Sequence, residues 1–154
     1  MHSERLLTPG EVIELTACRA STLSAWRNRL GFLPREGDGH SRFGFSDLVS
    51  VRLMVLLTAR GIAAGEAVQI VTAISQAVDL DAHGYGAKIA IGRGPNGEFI
   101  IRPIQWGDSN AVFDLADDVV LVLSLGPIAW GLYLALRRLR GLPPSVNVTP
   151  SVAA

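Results

Sequence analysis

Apolar positions in the first half of the chain recur at spacings of three and four, and capping residues and glycines divide them into four helical segments. Thr8-Pro-Gly-Glu11 opens the first, with Thr as N-cap, Pro at the first helical position and Glu three residues after the cap. Val12, Ile13 and Leu15 supply its apolar side, and it ends near Thr16. Ala17-Cys-Arg-Ala20 predicts a turn without glycine, after which Ser21 and Thr22 open a second helix. In that helix Leu23, Trp26 and Leu30 share one face, Ser21, Ser24, Ala25, Asn28 and Arg29 the other, and Arg27 sits at the border. Gly31-Phe-Leu-Pro34 terminates it.

Arg35 to Arg42 is a polar, glycine-punctuated loop of hairpin size, and Phe43 and Phe45, alternating about Gly44, predict a short returning strand. Ser46-Asp-Leu caps a third helix, Asp47 to Arg60, in which Leu48, Val51, Arg52, Val55 and Leu56 repeat at helical spacing. Gly61 is its C-cap. A fourth helix runs from Ala64 to about Val78, with Ala67, Val68, Val71 and Ile74 on one side.

The pattern then changes period. Ala87 to Ile91 and Glu98 to Arg102 are short strand candidates on either side of Gly92-Arg-Gly-Pro-Asn-Gly97, whose Asn-Gly pair is a strong turn signal. Trp106 to Asn110 reads as loop, and Val119 to Ser124 as a buried strand. Gly126-Pro127 starts a last helix to about Arg140, with Pro127 near the first helical position and Arg137, Arg138 and Arg140 at the C-terminal end, where cations suit the helix dipole. Ile128, Trp130, Leu132, Tyr133, Leu134 and Leu136 leave this helix almost no polar face, which calls for a second covering surface. Leu142 to Ala154 is an uncharged, proline-containing tail, read as disordered.

Charge sharpens the division. The chain is formally neutral, yet Arg19 to Arg60 holds seven arginines against three acids, while Gly61 to Asp118 holds three basic residues against eight acids. A basic first half beside an acidic second half is the footprint of a compact nucleic-acid reader joined to a partner region. The arginines suit phosphate and bidentate base contacts. The composition, 49% apolar and 18% charged over 154 residues, excludes a disordered chain.

Pro9-Gly-Glu-Val, Leu15-Thr, Thr22-Leu, Gly31-Phe-Leu-Pro34, Arg42-Phe-Gly-Phe-Ser-Asp-Leu48 and Arg60-Gly-Ile-Ala, in this order and at these distances, resemble the winged-helix DNA-binding domain of MerR-type regulators. The resemblance covers roughly Leu6 to Val78. It implies an N-terminal helical winged helix-turn-helix domain over residues 6–78; the pattern beyond it predicts a linker at 79–85, an α+β dimerisation or effector region at 86–140 and the tail at 141–154, so the chain is expected to be α+β. The second helix would enter the DNA major groove, and the loop before Phe43 would be the wing. Where the family usually carries Thr-Leu-Arg-Tyr-Tyr-Glu, this chain has Thr22-Leu-Ser-Ala-Trp-Arg27, so Ser24 replaces the usual groove-facing Arg and the base-reading set differs. The long antiparallel coiled coil that pairs family members is not evident after residue 79.

The residues expected to meet DNA are Arg19, Ser21, Ser24, Arg27, Asn28, Arg29, His40, Ser41 and Arg42. Asn can pair bidentately with adenine and Arg with guanine, whereas Arg and Ser contacts to phosphate position a protein without reading sequence. Trp26 is expected in the core. Dimerisation is expected through Ile128, Trp130, Leu132, Tyr133 and Leu136. The expected partners are duplex DNA and a second copy of the chain, on an inverted-repeat operator. No effector class is specified.

Other readings are weaker. Gly92 to Gly97 matches G-x-G-x-x-G, but Phe99-Ile-Ile follows where a dinucleotide site needs a helix, so it reads as a hairpin turn. Asp79, Asp81 and His83 alternate in a solvated linker and do not make a metal site. Cys18 is the single cysteine, which excludes a disulfide framework and reads as a small buried apolar residue. Val119 to Leu136 is uncharged and long enough to raise a membrane span, but Gly126-Pro127 suits a strand-to-helix junction better. No catalytic constellation, metal or cofactor is expected. The polar N-terminus lacks the apolar core of a signal peptide, so a cytoplasmic location is the expectation. An excisionase-like or architectural DNA-binding protein is the runner-up, and a protein-interaction module such as an antitoxin the alternative of another class.

Overall fold

The computed structural model describes residues 6–34, 42–81, 88–104 and 121–143. Its elements are helices α1 (Pro9–Thr16), α2 (Ala20–Leu30), α3 (Phe45–Ala59) and α4 (Ala64–Ala77), strands β1 (Lys88–Arg93), β2 (Phe99–Ile104) and β3 (Leu121–Ser124), and helix α5 (Leu125–Leu139). The chain is therefore α+β, as expected from its two hydrophobic periods. It divides between Val71 and Thr72, within α4, into two compact units.

The first unit is assembled by local caps and one long-range strand contact. Thr8 caps α1 through its side chain, which accepts from the Glu11 N–H, and the Glu11 carboxylate accepts in return from the Thr8 N–H at 2.8 Å. Two orphan donors of the first helical turn are thereby satisfied. Immediately before this cap, Leu7 exchanges both backbone hydrogen bonds with Phe43, at 2.7 and 3.1 Å, in an antiparallel bridge. Phe43 is the returning residue. Phe45 is not: it already belongs to α3, which starts two residues before Asp47 with Gly44 as N-cap. Asp47 is the third helical residue, and its carboxylate accepts from the Gly44 N–H at 2.8 Å. A backward-reaching acid at this position stabilises the entry without a capping hydroxyl.

Leu7, Val12, Leu23, Trp26, Phe32, Phe43, Phe45, Leu48 and Leu53 make up much of this unit's core. Trp26 meets Phe32 edge to face, with ring centroids 6.2 Å apart. Leu30, expected with Leu23 and Trp26 on the inner face, is exposed. Gly31 turns the chain with φ of 63° directly after it, and Phe32 fills the inner position instead.

In the second unit β1 is the central strand of an antiparallel sheet of order β2-β1-β3. The β1–β2 turn follows from Pro95-Asn96-Gly97: the Gly97 N–H reaches the Gly94 carbonyl at 3.0 Å, and Gly97 takes φ of 80°. The G-x-G-x-x-G match is thus a strand end plus a hairpin turn. On the other edge, β3 pairs Ile89 with Leu123 and Ala90 with Val122. Ile89, Ile91 and Leu123 share one pleat face and are buried. The strand passes into α5 without a linker, with Ser124 as N-cap and Pro127 at the third helical position, not near the first. Its missing N–H falls among the four donors that a helix start leaves unbonded, so the shift is tolerated. Leu125, Ala129, Leu132 and Leu136 form the inner side of α5, which lies against β1. No helix among the described residues is long and apolar enough to cross a membrane.

Candidate nucleic-acid interface

The turn between α1 and α2 is built from residues whose side chains secure backbone groups. Thr16 is fully buried, and its hydroxyl donates to the Val12 carbonyl at 2.7 Å while accepting from the Cys18 N–H at 3.3 Å. Ala17 takes a left-handed conformation, φ 58°, as the C-cap of α1. Arg52 reaches from α3 to donate to the Thr16 carbonyl at 3.1 Å, where a cation also complements the negative end of the helix dipole. Cys18 lies buried in the turn, and burial raises its thiol above the ordinary range while a backbone hydrogen bond from Leu23 opposes the shift. This keeps the side chain a neutral thiol.

The second helix begins at Ala20, with Arg19 as an extended N-cap that makes no side-chain capping bond. Ser21 and Thr22 lie inside its first turn, so they do not open it. Freed from capping, Ser21 is exposed beside Ser24 and Asn28, on the side opposite buried Leu23 and Trp26. The Asn28 amide donates to the Ser24 hydroxyl at 3.3 Å. Arg19 before the first turn and Arg29 in the last turn are exposed as well. The outward side of α2 is thus short polar groups with an arginine towards each end.

Arg27 differs from the other expected DNA contacts. It is half-buried, its Nε donates to the Leu33 carbonyl at 2.9 Å, and its guanidinium lies 5.0 Å from the centroid of the Phe43 ring. Its geometry ties α2 to Leu33 and Phe43, on either side of residues 35–41. Arg42, adjacent to Phe43, is exposed. His40 and Ser41 lie outside the described residues.

The sequence reading missed Arg52 and Thr16 as parts of the helix-turn-helix. Thr16 carried a weak signal, as a polar residue closing an apolar segment. Arg52 carried one too, as a charge among apolar residues at helical spacing.

In the second unit, Leu132, Tyr133 and Leu136, three of the residues expected to dimerise, are buried within one copy of the chain. Ile128 and Trp130 are half-exposed, and Trp130 stacks on Tyr133 with centroids 5.5 Å apart. Asp79 and Asp81 stand at the end of α4, where the Asp79 carboxylate accepts from the Asp81 N–H at 3.0 Å, a local turn. His83 lies outside the described residues.

No curated protein matches the chain. Residues 7–74 match the model of the MerR HTH family regulatory proteins, a span that includes α1, α2, the Leu7–Phe43 bridge, α3 and most of α4. By this match the N-terminal part of the chain is similar to the helix-turn-helix domain of MerR-type regulatory proteins, with residues 75–154 outside the family match.

Proposed function

We propose that the chain is a sequence-specific regulator that works as a homodimer on an inverted repeat. Ser21, Ser24, Asn28 and Arg29 face the base edges of the major groove, while Arg19 and Arg42 hold the phosphates on either side. The observation that carries this reading is the outward side of α2: hydroxyls and a carboxamide opposite Leu23 and Trp26, bracketed by exposed arginines. Arginines on phosphates supply affinity and register, and the short polar groups supply the base discrimination.

Pairing falls to the second unit. Among the described residues β2 and β3 are the outer strands of the sheet, and Ile128, Trp130 and Leu134 are half-exposed on α5 among apolar neighbours. Two copies related by a two-fold axis would present two reading helices to half-sites separated by about one helical turn, or a multiple of it.

Enrichment of duplexes from a random library by the full chain, followed by sequencing, tests both parts. The expected product is an inverted repeat, and light scattering should give the mass of two chains. Absence of enrichment at low salt would remove the reading. Enrichment of an undivided site by a monomer would remove the dimer alone.

A further inference from the structure

We propose that Arg27 is a positioning residue that holds Leu33 and Phe43, and with Phe43 the neighbouring Arg42, against the reading helix, and that it makes no contact with DNA itself. The inference rests on the DNA-binding reading above and assigns a different task to one of its arginines. Residues 34–42 connect two points that Arg27 holds together. On the entering side, Leu33 has φ of 46°, a conformation that costs a non-glycine residue about 1–2 kcal/mol. Its carbonyl accepts from Arg27 Nε at 2.9 Å. On the returning side, the Phe43 ring lies under the Arg27 guanidinium, and the Phe43 backbone is fixed by both hydrogen bonds to Leu7.

These contacts share one side chain rooted in α2. Leu33 is directed by a planar donor, Phe43 by the face of the same guanidinium, and α2 itself by buried Leu23 and Trp26. Arg42, one residue from Phe43, is thereby joined to the same anchor on α2. A lysine could not reproduce this, because one ammonium cannot present both a fork edge and a flat face.

The test is a set of double-mutant cycles on full-length protein, with a labelled mixed-sequence duplex and titrations at several salt concentrations. Arg42→Ala in the wild-type background should weaken binding about fivefold and lower the salt slope by about 1. In the Arg27→Met background, Arg42→Ala should have almost no further effect, whereas Arg19→Ala should weaken binding as much as it does in the wild type. That split separates positioning of Arg42 from general destabilisation, which would alter both cycles alike. Phe43→Leu, which keeps an apolar side chain and removes the ring, should reproduce the coupling to Arg42 if Arg27→Met does not fold. Additive losses for Arg27 and Arg42, in a protein that binds the duplex, overturn the assignment and make Arg27 a direct contact. Absence of duplex binding by the wild type would count against the DNA-binding reading on which the inference rests.

Discussion

Arg52 Nη1 donates to the carbonyl oxygen of Thr16 at 3.1 Å, so a side chain of α3 closes the C-terminal end of α1 from across the domain. The last carbonyls of a helix lack intrahelical partners, and α1 has no basic residue of its own in its last turn. Arg52 is half-buried, and loss of a hydrogen bond from a charged donor at such a place costs about 1–2 kcal/mol. Arg52→Met, which keeps the apolar stem, should therefore lower the thermal midpoint of the first unit by about 5 °C or more. Arg52→Lys should recover only part of the loss. A midpoint unchanged in Arg52→Met would mean that α1 needs no partner at this end.

Ala17 offers the opposite sign. Its φ of 58° costs an alanine about 1–2 kcal/mol relative to a glycine in the same place. Glycine costs about 0.5–1 kcal/mol in unfolded-chain entropy. The difference favours Ala17→Gly by about 0.5 kcal/mol. Ala17→Val should destabilise by more than this, because a branched Cβ is poorly accommodated at positive φ. Denaturant melts of the three proteins check the order Gly, Ala, Val.

The contrast between these two residues tells what could be read from the sequence. Caps and turns were legible at Thr8 with Glu11, at Gly31 after α2 and at Pro95-Asn96-Gly97 between β1 and β2, but not at the starts of α2 and α3, where Ser21 and Ser46 lie inside the helix and Arg19 and Gly44 are the N-caps. The outward polar side of α2 was legible, since helical spacing alone separates Ser21, Ser24 and Asn28 from Leu23 and Trp26. The roles of Arg27 and Arg52 were not, because each depends on a partner in another element, and neither a cation over Phe43 nor a donor to Thr16 has a local signature. Phe45 entered α3 where alternation with Phe43 had suggested a strand. A period of two over three residues is too short to distinguish the two. In the second unit, the hairpin was local, but the placement of β3 on the far edge of β1 was not.

Cys18 gives a prediction about reactivity. The reactive form of cysteine is the thiolate, and burial raises the Cys18 thiol above its ordinary range. At neutral pH a thiol reagent should label the folded protein far more slowly than the unfolded one. The folded state holds the proton more tightly than the unfolded chain does. Its contribution to stability is therefore fully present below the unfolded pKa and lost as pH rises through the folded one. Cys18→Ala should abolish this alkaline component while leaving the neutral-pH fold intact. Rapid labelling of the native protein near neutral pH would show that the turn opens or that the thiol is accessible.

The last prediction separates affinity from specificity on α2. Arg19 precedes the first turn and lies beside the helix N-terminus, a position from which a guanidinium and backbone N–H groups together suit a phosphate. Arg19→Ala should weaken binding to all duplexes alike and reduce the salt slope by about 1. Asn28, on the outward side and hydrogen-bonded to Ser24, has a carboxamide with donor and acceptor groups matched to the edge of adenine. Asn28→Ala should leave the salt slope nearly unchanged but remove the preference at one base pair of each half-site, a loss of about 1–3 kcal/mol against the best base. Arg29→Ala should act similarly where the preferred base is guanine. Sequencing of duplexes enriched by each variant measures the change directly. If all three variants keep the wild-type preference, base discrimination does not reside on this helix. Groove shape, read through Arg42, then becomes the expected source of specificity.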